Sequence, residues 1–421
     1  MSHDKQVGVT RRAWMTAAGG LPIAAAGACA TAPEPAPELP ALADFSDLQV
    51  THLDAGSVHP FSKGARAAVN AYLASRGNGA TQGYSTGDVE ERVNTQFAQL
   101  INATPAEICA VQSTSMGEWL ALRALGLPDS GGRIVTDALH FFGSFHLYNE
   151  LQRQGVDVVV VPMRDNAIAM ADLEAAVNRN TKLVAISAVS TVNGFQHDVK
   201  AVADLAHAHG AHIYVDAVHA CGAVPFDVKA TGVDLAATST YKWLMGDMGL
   251  GFIYARGDLI PQLRRPQYGY YQVASFASHA YPLDPPGERL FDTAPRDDAQ
   301  GLFAMGTHSN TVLAHLDYSL AYLNRVGVDN IQAYRQPMIE KLRREVPALN
   351  RGFRPLTPEN STSALIGFVY PNARGVLAPL LRDANIRATV STNRIRFSAS
   401  VFNTMADIDR ALEVLATAPV A

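Results

Sequence analysis

The chain has 421 residues, 34 Lys and Arg against 39 Asp and Glu, a formal net charge of −5 and 48% apolar residues. That length accommodates one large domain plus a smaller one. The mild negative charge, with no basic block, argues against nucleic acid as a partner. Three cysteines, Cys29, Cys109 and Cys221, do not amount to a disulfide framework.

The N-terminal stretch stands apart. Thr10-Arg11-Arg12-Ala13-Trp14-Met15 has the form of a twin-arginine export signal, and the Ala/Gly-rich stretch 17–28 after it is too short to span a membrane. Residues 1–32 are read as the signal, with cleavage after Ala30-Thr31-Ala32, and 33–44 as a Pro-rich flexible linker. The expectation is a periplasmic or secreted protein carried in folded form by the twin-arginine translocase. Lipidation of Cys29, within Ala26-Gly27-Ala28-Cys29, is the alternative that would bring the chain to a membrane.

A large domain is expected over 45–308. Val50-Thr51-His52-Leu53-Asp54-Ala55-Gly56-Ser57 opens it with a strand, and periodicity predicts helices over 62–75 and 88–101. Ile108-Cys109-Ala110-Val111 is a strand that runs into Ser113-Thr114-Ser115 and a helix over 118–125. Free N–H groups and the helix dipole favour an anion at such a junction, so Thr114 and Ser115 are phosphate candidates, with an ordinary N-cap as the alternative. Strands follow at 133–136, 156–161 and 183–187, alternating with helices at 144–154, 170–177 and 202–209. The alternation predicts an α/β fold with a mostly parallel central sheet and helices on both faces. Ligands in such sheets sit beyond the carboxyl ends of the strands. Ser115, His140, Asp216 and Lys242 all fall there.

The stretch 212–256 is the centre of the chain. Ile213-Tyr214-Val215 ends in Asp216, His219 follows three residues on, and Ser239, Tyr241 and Lys242 close the next short strand. A carboxylate at a strand end can keep a heterocyclic nitrogen protonated, and a lysine at the neighbouring strand end can form a Schiff base with an aldehyde. Pyridoxal phosphate (PLP) requires both. Lys242-Trp243-Leu244, followed by Gly246, Gly249, Gly251, Phe252 and Tyr254, resembles the lysine motif of the class V aminotransferases of fold type I, a group that includes cysteine desulfurases and isopenicillin N epimerase.

That resemblance covers roughly residues 45–415. It implies PLP as cofactor, Lys242 as Schiff-base lysine and proton carrier, Asp216 at the ring nitrogen and His219 at the ring oxygen or a substrate group. It also implies that Ser115, with Thr114 beside it, and Ser239 hold the phosphate, that His140 or Phe141 stacks on the ring, and that Asn193 or Thr191 touches the ring hydroxyl. Gly306-Thr307, before a helix at 311–323, implies a homodimer in which Thr307 reaches the partner's phosphate. Tyr241 departs from the His that desulfurases usually carry before their lysine.

Residues 264–300 show little periodicity and are expected to be irregular. A smaller α+β domain is expected over 309–421, with a helix at 329–346, strands near 364–369 and 394–398, and a helix at 406–415. Arg396-Phe397-Ser398, followed by Asn403-Thr404, resembles the family stretch whose arginine binds the substrate carboxylate, a bidentate task suited to guanidinium. Arg394 is expected to face the other way and to be structural. No cysteine follows Cys221, which speaks against a desulfurase that collects sulfur on a C-terminal thiol. The expected activity is PLP-dependent conversion of an amino acid or amine by transamination or epimerisation. A C–S or C–C lyase and an inactive binding protein on the same fold are the alternatives.

Overall fold

The computed structural model describes residues 38–79 and 88–421. The twin-arginine motif, Cys29 and the first part of the linker lie outside these residues.

The large domain is built on a seven-stranded sheet of β2 (Ile108–Val111), β3 (Arg133–Asp137), β4 (Asp157–Val161), β5 (Thr181–Ser187), β6 (His212–Asp216), β7 (Leu235–Ser239) and β8 (Gly251–Ala255). Their order is β2-β8-β7-β6-β5-β3-β4, and only β8 runs antiparallel to its neighbours. The strands are largely apolar because helices cover both faces; every residue of β2, β7 and β8 is buried. Two separate apolar clusters result. One contains Val184, Ile213 and Val215, the other Ala185, Tyr214 and Ile253.

Side-chain caps decide where several helices begin. Ser62 accepts from Ala65 N and starts α1 (Lys63–Gly77). The next helix is α2 (Asp88–Leu100). Ser113 accepts from Met116 N and starts α3 (Thr114–Ala124), four residues earlier than periodicity suggests. Thr114 and Ser115 therefore lie in its first turn.

The segment 264–300 is not wholly irregular. It carries an antiparallel hairpin, β9 (Val273–Ser278) with β10 (Phe291–Pro295), and every residue of β10 is exposed. Lacking a buried face, these strands have no alternation to read.

The second domain holds a four-stranded antiparallel sheet of β11 (Arg354–Pro355), β12 (Ile366–Val369), β14 (Thr389–Val390) and β15 (Arg394–Phe397). Its core cluster includes Phe368, Ile395, Phe397 and Leu412. The N-terminal strand β1 (Thr51–His52) pairs with β13 (Ile386–Arg387), so the chain begins its described course on this domain. The end of the linker is docked there too: Ala41 N donates to Val401 O at 2.8 Å and Phe45 packs on Phe402. The domains change over later than position 308. Leu313, Leu316 and Leu320 of the helix Asn310–Val326 belong to the large-domain cluster, while Met338 and Leu342 of the helix Val328–Ala348 belong to the other.

Candidate active site

Several polar groups singled out in the sequence, with others that were not, gather at the carboxyl ends of the parallel strands. Asp216 ends β6, Ser187 ends β5, Asp137 ends β3 and Ser239 ends β7. Lys242 lies three residues beyond β7 in a tight loop. Thr240 Oγ1 donates to Asp247 O, and Gly246 N donates to Thr240 O at 2.8 Å. Gly246 is required there, because a Cβ would lie 2.3 Å from Leu316 Cδ1 and 2.8 Å from Thr240 Cβ. The glycine spacing of the motif thus folds the loop that holds the lysine.

Lys242 is 8% exposed and its Nζ lies 3.4 Å from His219 Nε2. Burial pushes its pKa down to about 8; Asp216 opposes that shift and Arg396 adds to it. The unprotonated amine, the form that attacks an aldehyde, is therefore far more populated near neutral pH than in an ordinary lysine, though still the minor form. His219 is buried as well, and its Nδ1 accepts from Trp243 Nε1 at 3.1 Å. Burial, with the charges of Lys242 and Arg396, holds its pKa well below the ordinary value. Asp216 accepts from Val218 N at 2.9 Å; burial raises its pKa, against His140, this N–H and Lys242.

His140 is fully buried and both its ring nitrogens are engaged: Nδ1 with Ser187 Oγ at 2.9 Å and Nε2 with Glu118 Oε1 at 3.0 Å. Glu118 also accepts from Ser144 Oγ at 2.5 Å and Tyr148 OH at 2.6 Å. Burial works against charge on both partners, but each charge supports the other. The imidazole pKa is raised and the carboxyl pKa lowered. Phe141 turns back toward Gly143 and Phe142, so of the two adjacent aromatics it is His140 that is locked beside Asp216.

Arg396 is 6% exposed and reaches across both domains. Its Nη1 donates to Thr191 O at 2.7 Å and Thr191 Oγ1 at 2.8 Å, and its Nη2 to Ser57 Oγ at 3.0 Å and Thr389 Oγ1 at 2.9 Å. Asp54 Oδ1 lies 3.9 Å from Nη2. Burial lowers the Arg396 pKa to about 10, against Asp54 and with Arg394. The expectation that Arg394 faces away is corrected by strand geometry. Residues 394 and 396 are two apart on β15 and share a face, with Ile395 in the core between them.

The candidates divide. Thr114 Oγ1 and Ser239 Oγ are both buried without a hydrogen-bond partner, a pair of unmet groups at a helix N-terminus and a strand end. Such orphans are costly unless a bound group satisfies them, and they fit a phosphate. Ser115 is exposed. Asn193 is not brought to the site: its amide donates to Asn166 O at 2.7 Å and accepts from Phe195 N at 3.0 Å, so it braces its own loop. Thr191, the other option, is the residue at Arg396. Thr307 is exposed just before the helix Asn310–Val326.

A family model described as Aminotransferase class-V matches residues 56–410. The chain belongs to the class V aminotransferase family. It is therefore a PLP-dependent enzyme, with the fold-type I architecture. A probable cysteine desulfurase of Methanothermobacter thermautotrophicus is 30% identical over 257 residues, 61% of this chain and 60% of that protein. The cysteine desulfurase IscS of Shewanella baltica is 27% identical over 354 residues, 80% of this chain and 84% of its own. Among solved structures, the cystine C–S lyase C-DES, in a form with glycine covalently linked to the PLP cofactor, aligns with a TM-score of 0.79 at 18% identity. That alignment covers 90% of this chain and 99% of that one.

Several groups in this class V site escape the sequence. Glu118 carried a signal, a lone acid in an otherwise apolar helix, Trp119-Leu120-Ala121-Leu122. Asp54 and Ser57 lie in the stretch 50–57 that opens the large domain. Thr389 gave no local sign.

Proposed function

We propose that this class V enzyme acts on an α-amino acid, or an amine that also carries a carboxylate, by transamination or epimerisation. The observation that carries this reading is the convergence of a buried lysine, a strand-end carboxylate and a buried arginine from the other domain. When bound, PLP supplies an aldehyde for the Lys242 amine and a ring that accepts electrons. Asp216 is placed to bind a protonated ring nitrogen, and a cation there would offset the burial that raises its pKa. Thr114, Ser239 and the N-terminus of α3 would hold the phosphate, and His140 would lie against the ring.

Arg396 binds the carboxylate of the substrate, exchanging hydroxyl and carbonyl partners for a charge. Lys242, with its amine free, would take the proton from the substrate carbon and return it. Return of that proton to the opposite face of the carbon would mark epimerisation, and its delivery elsewhere transamination. Among the described residues, capture of sulfur on a protein thiol is not supported: Cys109 and Cys221 are both buried, and burial raises both thiol pKa values. A second reading, C–S cleavage by elimination without a protein thiol, draws on the likeness to C-DES.

Two further readings belong here. The enzyme is a homodimer in which the partner's Thr307 completes the phosphate site, supported by the exposed position of Thr307. It is exported through the twin-arginine route, supported by Arg11-Arg12 and the apolar stretch after them.

The deciding experiment is an absorbance spectrum of purified protein before and after borohydride, beside Lys242→Ala. A visible band that borohydride traps, and that the variant lacks, is expected. Incubation with amino acids in heavy water then sorts the chemistry. Deuterium with inversion marks epimerisation, a keto acid with an aminated cofactor marks transamination, and release of sulfide or pyruvate marks elimination. A colourless protein that stays colourless with added PLP would overturn the reading in favour of an inactive scaffold.

A further inference from the structure

A fully buried arginine outside the site has no acidic partner. Arg335, on the helix Val328–Ala348, is 1% exposed, and among the described residues no salt bridge joins it. Its Nη2 donates to Ala223 O at 2.6 Å, and its Nη1 is buried without a partner. Burying a guanidinium this way is costly, and packing alone would favour an apolar side chain. What the guanidinium does touch is Trp243: its carbon lies 5.4 Å from the centre of the indole ring. The backbone of Trp243 is tightly packed as well. Gly222 has φ of +80°, and a Cβ there would lie 2.5 Å from Trp243 O.

Trp243 is the residue after the candidate Schiff-base lysine, and its N–H points at His219. An indole N–H donates and cannot accept. His219 Nδ1, 3.1 Å away, is therefore an acceptor and carries no proton. The neutral ring must then carry its proton on Nε2, the nitrogen 3.4 Å from Lys242 Nζ. An ammonium has three donors and no acceptor, so it cannot receive that N–H, whereas a free amine can. Protonating both ring nitrogens would break the tryptophan contact and place a third cation beside Lys242 and Arg396.

We propose that Trp243 and Arg335 are positioning residues that hold His219 as the tautomer protonated on Nε2, so that one fixed donor faces the Lys242 amine and favours its unprotonated, nucleophilic form. The groups that face His219 are Lys242 and Trp243 from the loop after β7 and Arg396 from β15, with Arg335 acting through the indole. The inference rests on the reading of Lys242 as the Schiff-base lysine. It assigns a task to a buried arginine of the smaller domain, which is to stiffen the reactive loop of the larger one.

The test has two arms. Protein labelled with 15N-histidine reports each ring tautomer in long-range 1H–15N spectra, with the His219 signals identified by their loss in His219→Gln. The wild-type signal is expected to be that of the Nε2–H form. Trp243→Phe keeps a ring for Arg335 and removes only the donor; a mixture of both tautomers is expected. Arg335→Met should give the same change to a smaller extent. In the second arm, PLP is added to the apoprotein and the formation of the borohydride-trappable band is timed. Trp243→Phe should slow it roughly fivefold at neutral pH, the worth of about one net hydrogen bond, and raising the pH should restore the rate. A wild-type signal protonated on Nδ1 overturns the proposal without any variant. So does a Trp243→Phe protein with unchanged tautomer and unchanged rate. A wild-type protein that forms no band overturns the functional reading instead, while the spectra still decide the tautomer.

Discussion

Two histidines lie at the same end of the sheet and are held in opposite ways. His140 is gripped by Glu118, itself the acceptor of three donors, and its pKa is raised. His219 has no acid beside it; it receives a proton donor from Trp243 and faces Lys242, and its pKa is well below normal. Both are buried to the same degree. Burial alone therefore does not set the charge of a site histidine; the partner chosen by the surrounding elements does. One pocket favours a protonated ring, with Asp216 among the charges that support it. The other keeps a neutral ring beside an amine that must itself be neutral to react.

The largest expected effect strikes the His219 side. Lys242→Ala removes the proposed Schiff-base amine and proton carrier together, and turnover should fall by at least about three orders of magnitude. Single-turnover kinetics with a responsive amino acid would show it, and retention of normal turnover would break the assignment. Asp216→Asn, between the two pockets, should cost roughly 100-fold or more in kcat with a smaller change in KM, as for a preorganised electrostatic group.

Arg396→Gln comes next. It removes charged hydrogen bonds worth about 1.5–3 kcal/mol, or about 10- to 100-fold. The loss should appear in KM for substrates that carry a carboxylate and not for the corresponding simple amines. An equal loss for both would show that Arg396 is a brace between the domains.

Glu118→Gln acts on the His140 pocket. Breaking a buried pair leaves an uncompensated partner and should destabilise the fold by about 3–5 kcal/mol, read by urea unfolding. The pH dependence of stability sharpens the contrast. The raised pKa of His140 gives stability that is complete below its ordinary value of 6.5 and is lost as pH rises through the raised one. The lowered pKa of Glu118 gives stability present above its ordinary 4.5 and lost as pH falls through the lowered value. His219 has the reverse sign to His140: the unfolded chain takes up a proton below 6.5 that the folded one refuses, so stability falls on acidification. Glu118→Gln should therefore abolish the alkaline loss and leave the acid loss from His219 in place. The smallest effect is expected from Arg394→Gln, which removes a like charge near Arg396 and should change stability by no more than about 0.5 kcal/mol.

The chain by itself determined what depends on local spacing. The strand-end Asp216, Lys242 with its glycines and the βα alternation are short-range patterns, and the family site is legible in them because a strand end and a tight loop are built from consecutive residues. Tertiary structure decided which polar groups are satisfied and by whom. Asn193 is spent on its own loop, Ser115 is turned outward, and Thr114 and Ser239 are left unmet. Glu118 meets His140 from 22 residues away, and Arg396 meets Ser57 from 339 residues away. Arg335 arrives from the other domain to stack on Trp243. Charge states and tautomers follow from these long-range contacts, because a buried ionisable group takes its protonation from the neighbours that folding brings to it, and no local pattern records who they are.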